Sequence, residues 1–119
     1  MVKYSTERLD TIFKALSDST RRAMLAQLAQ GEMGVTELAR PHKMSLAAVS
    51  KHLKVLESAE FVEKSKEGRN YRCRANLEPL AAVTSVLEEL GAFWRGQLDS
   101  LEAFISKSNN IKEKKNAGK

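Results

Sequence analysis

Met44-Ser-Leu-Ala-Ala-Val-Ser-Lys-His-Leu-Lys-Val-Leu56 combines a helix cap, one apolar face and one small or cationic face. Ser45 is a good helix N-cap, because its hydroxyl can accept from a free backbone N–H of the first turn. Beyond it, Leu46, Val49, Leu53 and Leu56 recur at intervals of three, four and three, the spacing of a helix with one buried face. The opposite face carries Ala47, Ser50, Lys51 and Lys54, which are small, hydroxylated or cationic and never acidic. A helix buried on one side and built this way on the other suits a DNA major groove. An ordinary solvated helix can look the same, so the flanking segments decide.

Upstream, Ser5 or Thr6 can cap a first helix over 5–16, with Leu9, Ile12, Phe13 and Leu16 as its apolar face. Asp18 is the expected cap of a second helix, where its carboxylate also complements the helix dipole. Ala23, Met24, Leu25, Leu28 and Ala29 form the expected buried side, and Gly31 the stop. Thr36 is the expected cap of a short helix, Glu37-Leu-Ala-Arg40, and Pro41-His-Lys-Met44 the turn before the quoted stretch. Short helix, turn and second helix make a helix-turn-helix. Downstream, 61–66 and 71–75 read as two short strands joined by Glu67-Gly-Arg-Asn70, a hairpin turn. The hairpin carries Lys64, Lys66, Arg69, Arg72 and Arg74. A basic hairpin there is placed to reach the flanking DNA backbone or minor groove, although lysine and arginine also protect a sheet edge from pairing.

The chain has 119 residues, 42% of them hydrophobic, enough for one modest core. The N-terminus has no apolar signal-peptide core, and no apolar run approaches membrane-spanning length, so no membrane partner is expected. A single cysteine, Cys73, excludes an intrachain disulfide and fits a reducing cytoplasm. No CxxC, HExxH or Walker-type phosphate loop is present, and no nucleophile–base pair or paired carboxylates suggest an enzyme. Residues 35–75 hold nine basic and five acidic side chains, for +4, whereas 76–106 hold one and five, for −4. The basic middle is the half expected to face a polyanion.

Residues 77–106 read as one long helix or two in line, with Asn76 as cap. Leu80, Val83, Leu87, Leu90, Trp94, Leu98, Leu101 and Ile105 form its apolar stripe, roughly 45 Å long at the α-helical rise. One small domain cannot cover such a stripe, and Phe93 and Phe104 widen it. A symmetric dimer is the simplest cover, with Tyr4, Ile12 and Phe13 of the first helix added. Residues 107–119 read as a disordered basic tail, so the expected domain is 1–106.

Phe13-Lys-Ala-Leu-Ser-Asp-Ser-Thr-Arg-Arg22, Val35-Thr-Glu-Leu-Ala39 and Ser45…Ser50-Lys-His-Leu53 together resemble the ArsR family of winged helix-turn-helix repressors, over about residues 8–106. The resemblance implies a mainly helical fold with a small β-hairpin, dimerising through the N- and C-terminal helices. It implies a homodimer that binds an inverted-repeat operator in double-stranded DNA and is released by a signal. Ser19 stands where the family often has proline, and serine is acceptable there. Metal-sensing members carry a cysteine pair in the helix before the recognition helix, or zinc ligands on the C-terminal helix. Here Val35–Arg40 has no cysteine and 77–106 no histidine, so no metal and no cofactor is expected at either site.

Thr36, Lys43, Ser45 and Ser50 are candidates for phosphate contacts, and Ala47, Ser50, Lys51 and Lys54 for base edges. His52 is a candidate at the protein–DNA boundary or a satisfied, partly buried histidine, and His42 a solvated turn residue. Arg69 and Arg72 are the wing candidates. Arg21 and Arg22 either reach phosphates or pair with carboxylates. Cys73 is a bland strand cysteine, the alternative being a metal- or thiol-responsive switch. Phe93, Trp94 and Phe104 read as a plain dimer core, the alternative being a pocket for a small-molecule inducer. A winged helix that binds a partner protein is the reading from another class.

Overall fold

The computed structural model describes residues 4–117, with side chains through 109. The elements are α1 (Thr6–Leu16), α2 (Ser19–Gln30), β1 (Met33–Gly34), α3 (Val35–Ala39), α4 (Leu46–Ser58), β2 (Val62–Glu67), β3 (Asn70–Ala75) and α5 (Leu80–Ala117). The chain forms two compact units, Met1–Val83 and Thr84–Lys119.

Local chemistry sets the helix starts of the first unit. Ser5 Oγ accepts from the Arg8 N–H and the Asp18 carboxylate from the Arg21 N–H, so both expected caps are in place. The Gly31 N–H closes α2 onto the Leu28 carbonyl. α4 ends at a chain reversal with Glu60 at φ 64. There the Glu60 N–H donates to the Glu57 carbonyl and the Phe61 N–H to that of Leu56, while Leu56 and Phe61 are both fully buried. That is a Schellman motif with its apolar contact, closed on glutamate instead of glycine.

The core joins Ile12 and Ala15 of α1, Met24, Leu25 and Leu28 of α2, Leu38 of α3, and Val49, Leu53 and Leu56 of α4. Ala59 and Phe61 at the reversal after α4, Val62 and Cys73 of the sheet, and Ala82 at the start of α5 complete it. Three details differ from the expected faces. Ala23 and Ala29 of α2 are exposed, as is Leu46, the first residue of α4. Ile12, expected at a dimer interface, is 0% exposed in the chain's own core and cannot meet a second copy.

The sheet is antiparallel, ordered β1-β3-β2. β1 has no sequence signature. Its two residues pair Met33 with Cys73 and Gly34 with Arg72, tying the start of α3 to the hairpin. Glu67 pairs with Asn70, so the hairpin loop is Gly68-Arg69, and Gly68 supplies the positive φ of 64 that a two-residue loop needs at its first position. The Asn76 side chain accepts from the Glu78 N–H in a turn, and α5 begins at Leu80, three residues later than expected.

The second unit is the rest of α5. The helix runs unbroken past 106 to Ala117, so neither a helix end nor a unit boundary falls where the sequence placed the domain edge. The expected tail lies mostly on side chains outside the described residues. Among the described residues, no helix is long and apolar enough to cross a membrane.

Candidate nucleic-acid interface

The Ser45 hydroxyl accepts from the Ala48 N–H at 3.1 Å and fixes where α4 begins. With Val49, Leu53 and Leu56 buried, the opposite face must point outward, and Ala47, Ser50, Lys51 and Lys54 are all exposed. The turn before α4 is anchored from within. His42 Nε2 donates to Gln27 Oε1 at 2.7 Å, and Gln27 Nε2 donates to the Leu38 carbonyl at 3.2 Å. His42 is therefore a half-buried strut between turn and α2, not the solvated residue expected, and it leaves neighbouring Lys43 exposed. Thr36 is exposed as well, but it lies inside α3, whose N-cap position is Gly34, so it is not the expected cap.

His52 shares α4 but not its outward face. Its Nδ1 accepts from Arg21 Nη1 at 3.3 Å and lies 3.8 Å from the Asp18 carboxylate. Arg21 also donates Nε to the Ala15 carbonyl and Nη2 to that of Lys14, both at 2.8 Å. Arg22 donates to the Leu16 carbonyl at 2.7 Å. Both arginines thus serve the last turn of α1, whose carbonyls have no helical partner. The partly buried, satisfied reading of His52 fits this geometry; a boundary role is not what its partners suggest. Asp18 sits at the same corner. The Arg21 backbone N–H is the main cause that holds its carboxyl below the usual range; burial, the next largest effect, opposes it, and the nearby Arg21 guanidinium adds a smaller lowering.

The hairpin's five cations separate into two groups. Lys64 lies 3.5 Å from the Glu57 carboxylate and over the Tyr71 ring. Arg74 pairs with Glu63 across the strands. Arg72 is held at 2.9 Å by Glu32, with Glu67 at 3.6 Å, and donates to the Glu32 carbonyl. The hydrogen bond it donates to the Glu32 carboxylate is the main reason its guanidinium pKa is raised. Arg72, a wing candidate in the sequence, is committed to the base of the sheet. Arg69 and Lys66 are exposed, and, like Lys43, Lys51 and Lys54, have no described carboxylate within ion-pair distance.

Between α3, Ser50 of α4 and the hairpin lies an open groove of about 760 Å³. Thr36, Arg40, Ser50, Arg69, Asn70 and Tyr71 line it, together with Lys64, Arg72 and the carboxylates Glu37 and Glu67. Arg40 and Tyr71 escaped the sequence reading. The signal available for Arg40 was an unpaired cation just past a helix of the motif, and for Tyr71 an aromatic hydroxyl beside the hairpin turn. The groove makes the outward face of α4 continuous with the wing through Ser50.

Elsewhere, Cys73 is buried on the central strand, and burial pushes its thiol up, away from the thiolate a redox or metal switch needs. Among the described residues no three His, Cys, Asp or Glu side chains gather as a metal site. On α5, Leu87, Leu90, Trp94, Leu98, Leu101 and Ile105 are each 49–59% exposed, and Phe93 and Phe104 58% and 70%. Phe13 and Leu80 are partly open at 37%, and Val83 is partly buried.

A capped, outward-facing α4 after a short helix and turn, followed by a hairpin, defines a winged helix-turn-helix protein. The family model for bacterial regulatory proteins of the arsR family matches residues 18–64, from the α2 cap into β2. The HTH-type transcriptional regulator Rv2034 of Mycobacterium tuberculosis is 38% identical over 96 residues, covering 81% of this chain and 87% of that one. The transcriptional repressor SdpR of Bacillus subtilis is 34% identical over 61 residues, 51% of this chain and 68% of that one. A solved ArsR family transcriptional regulator, RHA00566, superposes with a TM-score of 0.75 at 40% identity, covering 80% of this chain and 97% of that one. The chain belongs to the ArsR family: it is a DNA-binding transcriptional regulator, not an enzyme.

Proposed function

We propose that the chain is a homodimeric repressor that binds an inverted-repeat operator, with α4 in the major groove and the tip of the wing on the flanking DNA. The observation that carries this reading is the outward face of α4: Ala47, Ser50, Lys51 and Lys54 are exposed, and both lysines lack a described carboxylate partner. A cation already paired within the protein would have to break that pair before meeting DNA. Lys51 is suited to donate to guanine and Ala47 to touch a thymine methyl group. Thr36, Lys43 and Ser45 supply backbone contacts, and the groove beside Ser50 suits one sugar–phosphate strand, with Arg40 and Arg69 at its walls. The exposed stripe of α5 supports the dimer, and the repressor named among the relatives supports the sign of regulation. On this reading the basic residues beyond 106 add nonspecific attraction to DNA.

The test is Lys51→Glu. Its side chain is exposed, so helicity and melting temperature should hold while operator affinity falls on the order of 100-fold, from a lost base contact and added repulsion in each half-site. Near wild-type affinity would remove α4 from the mechanism. In cells, deleting the regulator should raise transcription from the bound promoter; a fall would make it an activator.

A further inference from the structure

The chain has two tyrosines, and their hydroxyls fare differently. Tyr4 donates to Glu78 Oε1 at 3.2 Å. The Tyr71 hydroxyl has no hydrogen bond to a described residue, and its side chain lines the groove between α3, Ser50 and the hairpin, with the residue 47% exposed. The strand explains this placement. Alternate residues of a strand share a face, so Tyr71 lies on the same side of β3 as Cys73, which is buried in the core. Two residues nearer the hairpin turn, Tyr71 has passed the edge of that core and reaches the groove.

The ring is held by a short relay that starts on α4. Glu57 is the one acidic residue of that helix. Its carboxylate lies 3.5 Å from Lys64 Nζ, and Lys64 Nζ sits over the Tyr71 ring, 5.5 Å from the centroid. Lys64 pairs with Cys73 and Lys66 with Tyr71, so Lys64 and Tyr71 are diagonal neighbours on one face of the hairpin. The Lys64 and Glu57 side chains are only 24% and 32% exposed, so salt screens this pair less than an open surface pair. The ammonium is attracted by the negative face of the ring. One face of Tyr71 is thereby taken within the protein, and the hydroxyl is left for a partner.

We propose that Tyr71 donates its hydroxyl to a phosphate oxygen of the DNA strand in the groove, and that Lys64, anchored by Glu57, is the positioning residue that fixes the ring for this contact. This rests on the reading of α4 and the wing as the DNA surface and adds a residue to it. The walls of the groove name the ligand. Arg40 and Arg69 stand there without a described carboxylate partner and call for an anion. The carboxylates Glu37 and Glu67 in the same groove are offset by Arg72, which lies 3.6 Å from Glu67 and feels the charge of both. Tyr71 is a neutral donor. Such a contact positions a protein on the DNA backbone but neutralises no phosphate and releases no counterion, so a count of cations does not find it.

Affinity across a salt series, measured with the full chain on a labelled duplex selected from randomised DNA, tests both parts. Tyr71→Phe removes only the oxygen, so affinity should fall on the order of 10-fold with the melting temperature and the salt slope unchanged. Lys64→Met should lower affinity comparably, again at an unchanged slope, and Lys64→Arg, which keeps a cation over the ring, should restore it. The double variant Lys64→Met/Tyr71→Phe should bind no more weakly than the weaker single variant, because both changes remove one contact. Wild-type affinity in Tyr71→Phe would overturn the contact. Wild-type affinity in Lys64→Met, or losses that add in the double variant, would overturn the positioning role. So would a slope reduced by about one phosphate per wing in Lys64→Met, which would make Lys64 itself the DNA ligand. No duplex retained by folded wild-type protein would instead overturn the DNA-surface reading beneath both.

Discussion

Asp18 and Glu60 show how much a single side chain or backbone angle decides. Folding lowers the Asp18 pKa, chiefly through the Arg21 backbone N–H it accepts from. The ionised cap therefore stabilises the fold at pH above the ordinary carboxylate range, and that contribution fades as pH falls through the folded value. Asp18→Asn keeps a capping oxygen but cannot ionise. Its melting temperature should fall less steeply than wild type below a pH of about 4, and parallel acid limbs in the two melting profiles would contradict this. Glu60 holds a left-handed backbone at φ 64 that costs a non-glycine residue about 1 kcal/mol or more. Its exposed contact with Arg8 at 2.9 Å returns little. Glu60→Gly should raise the midpoint of urea unfolding, and a lower midpoint would show the Arg8 pair to matter more than the backbone. The caps Ser5, Asp18 and Ser45 were legible in the sequence, because a cap is local chemistry; Thr36 was misplaced as one, since α3 begins a residue before it, at Val35 behind Gly34. The bend at Glu60 was not, because no glycine or asparagine marks it.

At the scale of elements, the α4 face was legible and its neighbours less so. Helical spacing names Val49, Leu53 and Leu56 as buried and so exposes Lys51 and Lys54. The fates of Arg72 and His52 depend on partners 40 and 31 residues away, Glu32 and Arg21, which no periodicity reveals. The same holds for β1, two residues long and defined only by its pairing with β3. The wing offers the sharpest test. Counting its cations predicts five DNA contacts; counting those without a carboxylate partner leaves Lys66 and Arg69. Arg69→Ala should lower the salt dependence of operator binding by about one phosphate contact per wing. Arg72→Ala should leave that slope unchanged and instead loosen the sheet, reading out as a lower melting temperature. A smaller slope for Arg72→Ala with unchanged stability would return that residue to the DNA surface.

For the whole molecule, the long apolar stripe was plain in the sequence, and so was the inference that one small domain cannot cover it. The length of the helix was not. The change from apolar to basic composition near 106 looked like a structural boundary, yet the backbone stays helical to Ala117. Composition reports what a surface is solvated by, while helix continuation depends on backbone hydrogen bonds that lysine and asparagine can sustain. Ile12 failed as an interface residue for a related reason: an apolar helical face does not say whether its partner is the same chain or another. On the proposed function, the molecule reads DNA sequence through two copies of α4. Selection from randomised duplex DNA at physiological salt, followed by sequencing of the retained pool, tests it most directly. Enrichment of an inverted repeat whose half-sites are spaced by about one helical turn or a multiple of it is expected, and it should be lost with Lys51→Glu. Enrichment of a single unrepeated site, or none from folded wild-type protein, would contradict it.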